Sequence, residues 1–219
     1  MSLTAKDSGG GSFTPVSPGM HLARCYRIVD LGTQKSEYQG QIKHLQKVMF
    51  QFEVHGEDES GKELVTAKGE PMSISKNFTL SLVEKATLRK DLQAWRGKDF
   101  TADELRGFEL KNVLGAWAMI TVAKSVGNNG KDYTNIMSIN PVPVAIKKAG
   151  LPVGFNNLAM FVIDNPDMDL FETFGNGLKE KIANSPEWRA RNGGQPQQPA
   201  SKPGSTGSGF DDMDSDIPF

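Results

Sequence analysis

Cationic and aromatic side chains recur together at several places in this chain of 219 residues. Arg24, Tyr26 and Arg27 fall within four residues of one another. Lys35, Tyr38, Lys43 and Lys47 follow. Lys124, Asn128, Lys131 and Tyr133 lie in and around a Gly127–Gly130 tetrad. Lys76, which interrupts an apolar strand face, and Trp117 complete the set. Lysine and arginine neutralise phosphates, and flat rings offer faces on which bases stack. Such a stack is worth roughly 1–3 kcal/mol per base. Most of these candidates fall in or beside polar loops, where side chains meet solvent. Phe50, Phe52, Phe78 and Trp95 lie instead on apolar stripes and are expected in the core.

Other chemistries find no support. The three histidines (His21, His44, His55) and the single cysteine (Cys25) are too scattered to show a metal-ligand spacing. No Walker A loop, G-x-S-x-G or H-E-x-x-H occurs. Residues 127–131 look superficially like a phosphate loop, but between two strands they read as a hairpin turn. Asp164, Asp167 and Asp169 could be imagined as nuclease carboxylates. Asp167 and Asp169 fit better at a helix N-terminus, where the dipole favours negative charge. No catalytic residue, metal or cofactor is expected.

The charge is divided unevenly. Residues 201–219 carry Lys202 against Asp211, Asp212, Asp214 and Asp216, net −3, which leaves the other 200 residues at +2 within a whole-chain −1. A mildly basic body with an acidic end suits a nucleic-acid binder with an interaction tail. One cysteine permits no intrachain disulfide, and Cys25 is read as a small buried hydrophobe. No apolar run approaches the ~20 residues of a membrane span. Residues 1–18 are rich in Gly, Ser and Pro without an apolar stretch, so they read as a flexible arm rather than a signal peptide. A cytoplasmic protein is expected.

The elements that must position the candidates are mainly strands. Residues 20–31 are predicted as strand 1 and the polar stretch after them as a loop. In residues 43–55, Val48, Phe50, Phe52 and Val54 share one face while Lys47, Met49, Gln51 and Glu53 share the other, which predicts a half-buried strand 2. Residues 72–82 alternate likewise as strand 3. The period then lengthens: Leu82, Leu88, Leu92 and Trp95 predict a helix over 81–95 with Ser81 as N-cap and Gly97 as its end. Thr101 and Glu104 form a capping box for a short second helix. Residues 115–124 and 133–142 predict strands 4 and 5, joined as a hairpin. Residues 167–183 predict a helix broken near Gly175–Gly177, with another short helix after it.

Three strands, a helix and a terminal hairpin is the element order of the OB-fold, a five-stranded, partly open Greek-key barrel. Its strand 2–3 face and its loops 1–2 and 4–5 bind oligonucleotides, and three groups of the candidates converge on those loops. The expected organisation is an arm (1–18), an OB-fold domain (19–145), a small helical appendage (146–191), a disordered linker (192–210) and an acidic segment (211–219).

That last segment carries the most specific motif. Asp211, Asp212, Asp214 and Asp216 precede Ile217, Pro218 and Phe219. A basic pocket can bury the Phe219 ring and pair with a carboxylate, and Pro218 lowers the ordering cost. The aspartates steer the segment toward basic partners. The segment resembles the terminal peptide of bacterial and phage single-stranded DNA-binding proteins, in which acidic residues precede Ile-Pro-Phe. The Gly/Pro/Gln/Ser spacer before it fits the same family. The body is longer than the common bacterial form and looks more like the phage-encoded proteins.

The resemblance implies a sequence-independent protein that coats single-stranded DNA in phage-type replication and recombination. It would recruit replication, recombination and repair proteins through residues 211–219. Those residues would also compete weakly for the protein's own DNA groove. The resemblance allows a homo-oligomer, since bacterial members are tetramers and phage forms vary. Two alternatives stand beside it: an adaptor with the same tail but weak DNA binding, and a metal-dependent nuclease subunit.

Overall fold

The computed structural model describes residues 15–38, 41–126 and 132–191. Residues 1–14, 39–40, 127–131 and 192–219 lie outside them, and with these the turn expected at Gly127–Gly130, the expected linker and the acidic segment.

One long strand organises the molecule. β1 (Gly19–Tyr38) pairs antiparallel with β2 (Gln41–His55) along nearly its whole length. β2 pairs with β3 (Ser73–Thr79) on its other side. The first part of β1, Gly19 to Arg24, also pairs with β4 (Trp117–Val126), and β4 with β5 (Asp132–Asn140). The sheet order is β3-β2-β1-β4-β5. Where β4 leaves β1, a short parallel strand, β6 (Ala159–Phe161), takes over the same edge at Arg27–Val29. The fold is thus mainly β. The sequence reading expects a five-stranded, partly open barrel; among the described residues no ladder joins β3 to β5, so the sheet is not hydrogen-bonded closed. The two strands nevertheless approach, since the Lys76 ammonium on β3 donates to the Met137 carbonyl on β5 at 3.4 Å.

The inner face holds the main core. Val48, Phe50, Phe52 and Val54 from β2 meet Ala23, Cys25 and Ile28 from β1, Phe78 from β3, and Ile120 and Ile136 from β4 and β5. α1 (Thr87–Arg96) lies across this core with Leu88, Leu92 and Trp95 buried. The Trp95 ring packs 5.6 Å from Phe52 and its N–H donates to the Trp117 carbonyl. The helix starts five residues later than predicted, because Ala86 rather than Ser81 is the N-cap, and ends at Gly97 in the left-handed region. The capping box at Thr101 and Glu104 opens α2 (Ala102–Arg106) as expected.

The polar stretch predicted as a loop after residue 31 is instead strand. Gly32 to Tyr38 pairs with Gln41 to Lys47 as a two-stranded ribbon. Little of that ribbon is buried, so no apolar alternation marks it as strand. β2 is also not half-buried. Lys47, Met49 and Glu53, on the face opposite the core, are buried too.

The cover for that second face comes from residues 151–191. After α3 (Val144–Ala149) and β6 come α4 (Met168–Glu172), α5 (Asn176–Ala183) and α6 (Pro186–Arg191), with the predicted break at Gly175. Phe161, Phe171, Phe174 and Trp188 pack with Val29, Leu31 and Met49 into a second apolar core. The Phe171 and Trp188 rings stack at 4.7 Å. The appendage is therefore not purely helical, because it contributes an edge strand. The supposed arm is packed at its end, where Val16 is buried in the main core.

Candidate nucleic-acid interface

Successive side chains of a strand point to opposite faces of its sheet. With the core on one face, the outer face runs from Trp117, Met119 and Thr121 on β4, through Leu22 and Arg24 on β1, to Glu53 and His55 on β2 and Ser73, Ser75 and Asn77 on β3. Two hairpin ends project from it at opposite ends of β1. The β1–β2 ribbon extends beyond Gly32, while the β4–β5 hairpin extends past the Gly19–Val122 pair.

Lys35 and Lys43 are exposed on the first ribbon, where Lys35 lies opposite His44 and Lys43 opposite Ser36. Tyr38 ends β1 on the same ribbon. Lys124 is exposed on the second hairpin, and Tyr133 is half-buried there opposite Ser125. Lys131 and Asn128 lie outside the described residues. The structure thus brings the exposed cations together in two groups rather than one patch.

The remaining candidates have structural partners. Tyr26 is only 5% exposed and its hydroxyl reaches Ser73 Oγ at 3.4 Å. Arg27 bonds Gln51 and lies over the Tyr26 and Phe174 rings. Lys47 is buried. Lys76 pairs with Asp91 of α1 at 2.7 Å. Burial raises the Asp91 carboxyl above its ordinary range, against the pull of the Lys76 ammonium. Arg24 pairs with Glu53 at 3.2 Å and donates to the Asn156 carbonyl at 2.9 Å. Trp117, half-buried, meets the His55 ring edge-on at 4.9 Å between centroids.

Glu53 is the centre of a network that sequence reasoning missed. Its side chain is fully buried, yet it accepts from the backbone N–H of Phe155 at 3.0 Å and of Asn156 at 2.7 Å, from Asn156 Nδ2 at 2.7 Å, and from His55. Burial alone would raise its carboxyl. The donors from Asn156, His55 and Phe155 outweigh that and hold it below the usual glutamate range. The only sequence signal was a charged residue on a strand later found buried on both faces. The loop it anchors presents Val153, Phe155 and Leu158 to solvent. Cys25 is fully buried and burial pushes its thiol far up, so it stays an inert core residue.

Among the described residues, no group of histidine, cysteine, aspartate or glutamate is placed to hold a metal ion, and no helix is long and apolar enough to cross a membrane. No family model matches the chain, and no curated protein is significantly similar to it in sequence.

Proposed function

We propose that this chain is a sequence-independent single-stranded DNA-binding protein with an OB-type body and an acidic partner-recruiting segment at residues 211–219. The observation that carries the reading is the strand order β3-β2-β1-β4-β5 with α1 between β3 and β4 and with Lys76 reaching from β3 to the Met137 carbonyl of β5. That is the element order of the five-stranded, partly open barrel that binds oligonucleotides across strands 2–3 and loops 1–2 and 4–5. Exposed lysines on the two corresponding hairpins, Lys35, Lys43 and Lys124, supply the phosphate contacts. Arg24, Tyr26, Lys47 and Lys76 act as structural members beneath that surface. The acidic segment supports partner recruitment through its aspartates and the Ile217–Pro218–Phe219 motif.

One observation favours a second reading, an adaptor that binds DNA weakly. The outer face of β2, which would be the middle of an oligonucleotide groove, is largely covered by residues 151–191. Fluorescence-anisotropy titration of labelled dT oligonucleotides at two salt concentrations separates the two. The full chain and a version ending at Ser201 are compared. Tight binding that weakens with salt and tightens when the acidic segment is removed supports the single-strand binder. Absence of binding by both versions leaves the adaptor.

A further inference from the structure

We infer that the loop between α3 and β6 is a base-stacking platform with Phe155 as its ring, an inference that rests on the single-strand-binding reading. Aromatic side chains in loops normally fold back onto the body, since burying a ring is favourable. Phe155 does not, being 57% exposed, and its neighbour Val153 is 92% exposed. The backbone beneath them is nevertheless held firmly. The N–H groups of Phe155 and Asn156 and the Asn156 amide all donate to the buried Glu53 carboxylate, while Arg24 donates to the Asn156 carbonyl. Gly154 permits this, because a Cβ there would fall 0.8 Å from an Arg24 guanidinium nitrogen. A ring presented by an anchored backbone loses little conformational entropy when a partner stacks on it.

The position favours a nucleobase as that partner. Arg24 and Glu53 lie on the outer face between the Lys35–Lys43 ribbon and the Lys124 hairpin. On this reading a strand running from the Lys124 hairpin toward the ribbon would pass the Phe155 loop before it crosses the helices that cover Val29, Leu31 and Met49. The His55–Trp117 ring pair lies on the same face, next to Glu53 and Arg24. Just before the loop, α3 exposes Lys147 and Lys148. Cations beyond either end of the face that carries a held ring suit a polyanion with flat bases, whereas protein–protein interfaces are depleted in lysine.

The test compares wild type, Phe155→Ala and Phe155→Trp in anisotropy titrations with dT oligonucleotides at two salt concentrations. Sedimentation and circular dichroism are run on the same samples. Phe155→Ala is expected to weaken binding about 5- to 150-fold, the range that one stack amounts to. The salt slope should stay the same, because no charge is lost. Phe155→Trp should restore the affinity, and iodouracil-substituted oligonucleotides should photo-crosslink to Phe155. Wild-type binding that Phe155→Ala leaves unchanged overturns the platform and spares the function. So does a Phe155→Ala protein that only loses self-association, which would make the loop a contact between copies. Failure of wild type to bind overturns both.

Discussion

Glu53 and Asn156 lie 103 residues apart in the chain, yet one carboxylate oxygen of Glu53 accepts both the backbone N–H and the side-chain amide of Asn156 at 2.7 Å. The other oxygen accepts from Phe155 and pairs with Arg24. Glutamine at this position removes the charge that Arg24 pairs with and turns one of the two accepting oxygens into an NH2 group that faces N–H donors. Glu53→Gln is therefore expected to cost about 3 kcal/mol of stability. Because the folded carboxyl is held below its ordinary value, its contribution is complete above the unfolded pKa of roughly 4.3 and disappears as pH falls through the folded value. Urea midpoints at pH 7 and near pH 3 check this. The gap between wild type and variant should narrow on acidification, and a gap that stays constant would refute the assigned charge role.

Gly32 should be nearly intolerant of substitution. Its φ of +66° lies in the left-handed region, and a Cβ there would meet the Ser185 side chain at 2.5 Å and Glu187 Oε2 at 2.8 Å. Glu187 accepts both the N–H and the hydroxyl of Thr33, at 2.9 and 2.5 Å, which fastens α6 to β1. These Thr33 donors outweigh burial and keep the Glu187 carboxyl below its ordinary range. The backbone strain of Gly32→Ala alone amounts to about 1–3 kcal/mol, and the collision adds to it. Hydrogen exchange should show protection lost first in residues 159–191. Uniform loss across the sheet would mean that the appendage and the sheet unfold as one unit.

Much of the main sheet was legible because local periodicity and burial coincide there. The alternation of Val48, Phe50, Phe52 and Val54 and the capping box at Thr101 and Glu104 each describe a segment that needs no distant partner to be recognised. The ribbon from Gly32 to Tyr38 was not legible, because a largely polar strand that packs only at Gly32, Thr33 and Gln34 has no apolar period. Glu53 reads as a surface residue, since a charge opposite an apolar face is ordinarily solvated. Only the return of residues 155 and 156 buries it. Tyr26 and Arg24 read as binding groups for the same reason. Their ring and guanidinium are taken up by Ser73, Glu53 and Asn156, contacts that no local pattern encodes. The exposed lysines of the hairpins were found because a polar stretch is solvated whether it is a loop, as expected around Lys35, or a strand, as observed.

The Lys76–Asp91 pair links β3, α1 and, through the Met137 carbonyl, β5. Both side chains are largely buried, and burial already raises the Asp91 carboxyl. Lys76→Ala strands that carboxylate and should cost about 2 kcal/mol, below the roughly 3–5 kcal/mol of a fully buried pair because some solvent reaches it. Replacing both residues, Lys76→Met with Asp91→Leu, should return stability to within about 1 kcal/mol of wild type. Chemical denaturation of the two singles and the double settles it. A double variant no better than Lys76→Ala would mean that the pair acts through its contact with Met137 rather than through charge balance.

The hairpin lysines should act on DNA affinity and not on stability. Lys35 and Lys43 are exposed on the β1–β2 ribbon, and Lys124 is exposed on the β4–β5 hairpin. Exposed cations contribute little to folding, so alanine at any of them should leave the melting temperature within a degree or two. Each lysine that touches a phosphate releases counterions, and its loss should lower the slope of log affinity against log salt by about 0.7. Lys35→Ala with Lys43→Ala should therefore reduce the slope by roughly 1.4, with the affinity loss largest at low salt. Lys124→Ala should add to it independently, since the two hairpins stand at opposite ends of β1 and share no partner. If the ribbon pair changes nothing while Lys124→Ala does, the strand follows the β4–β5 side alone, and the path across Phe155 has to be redrawn from that end.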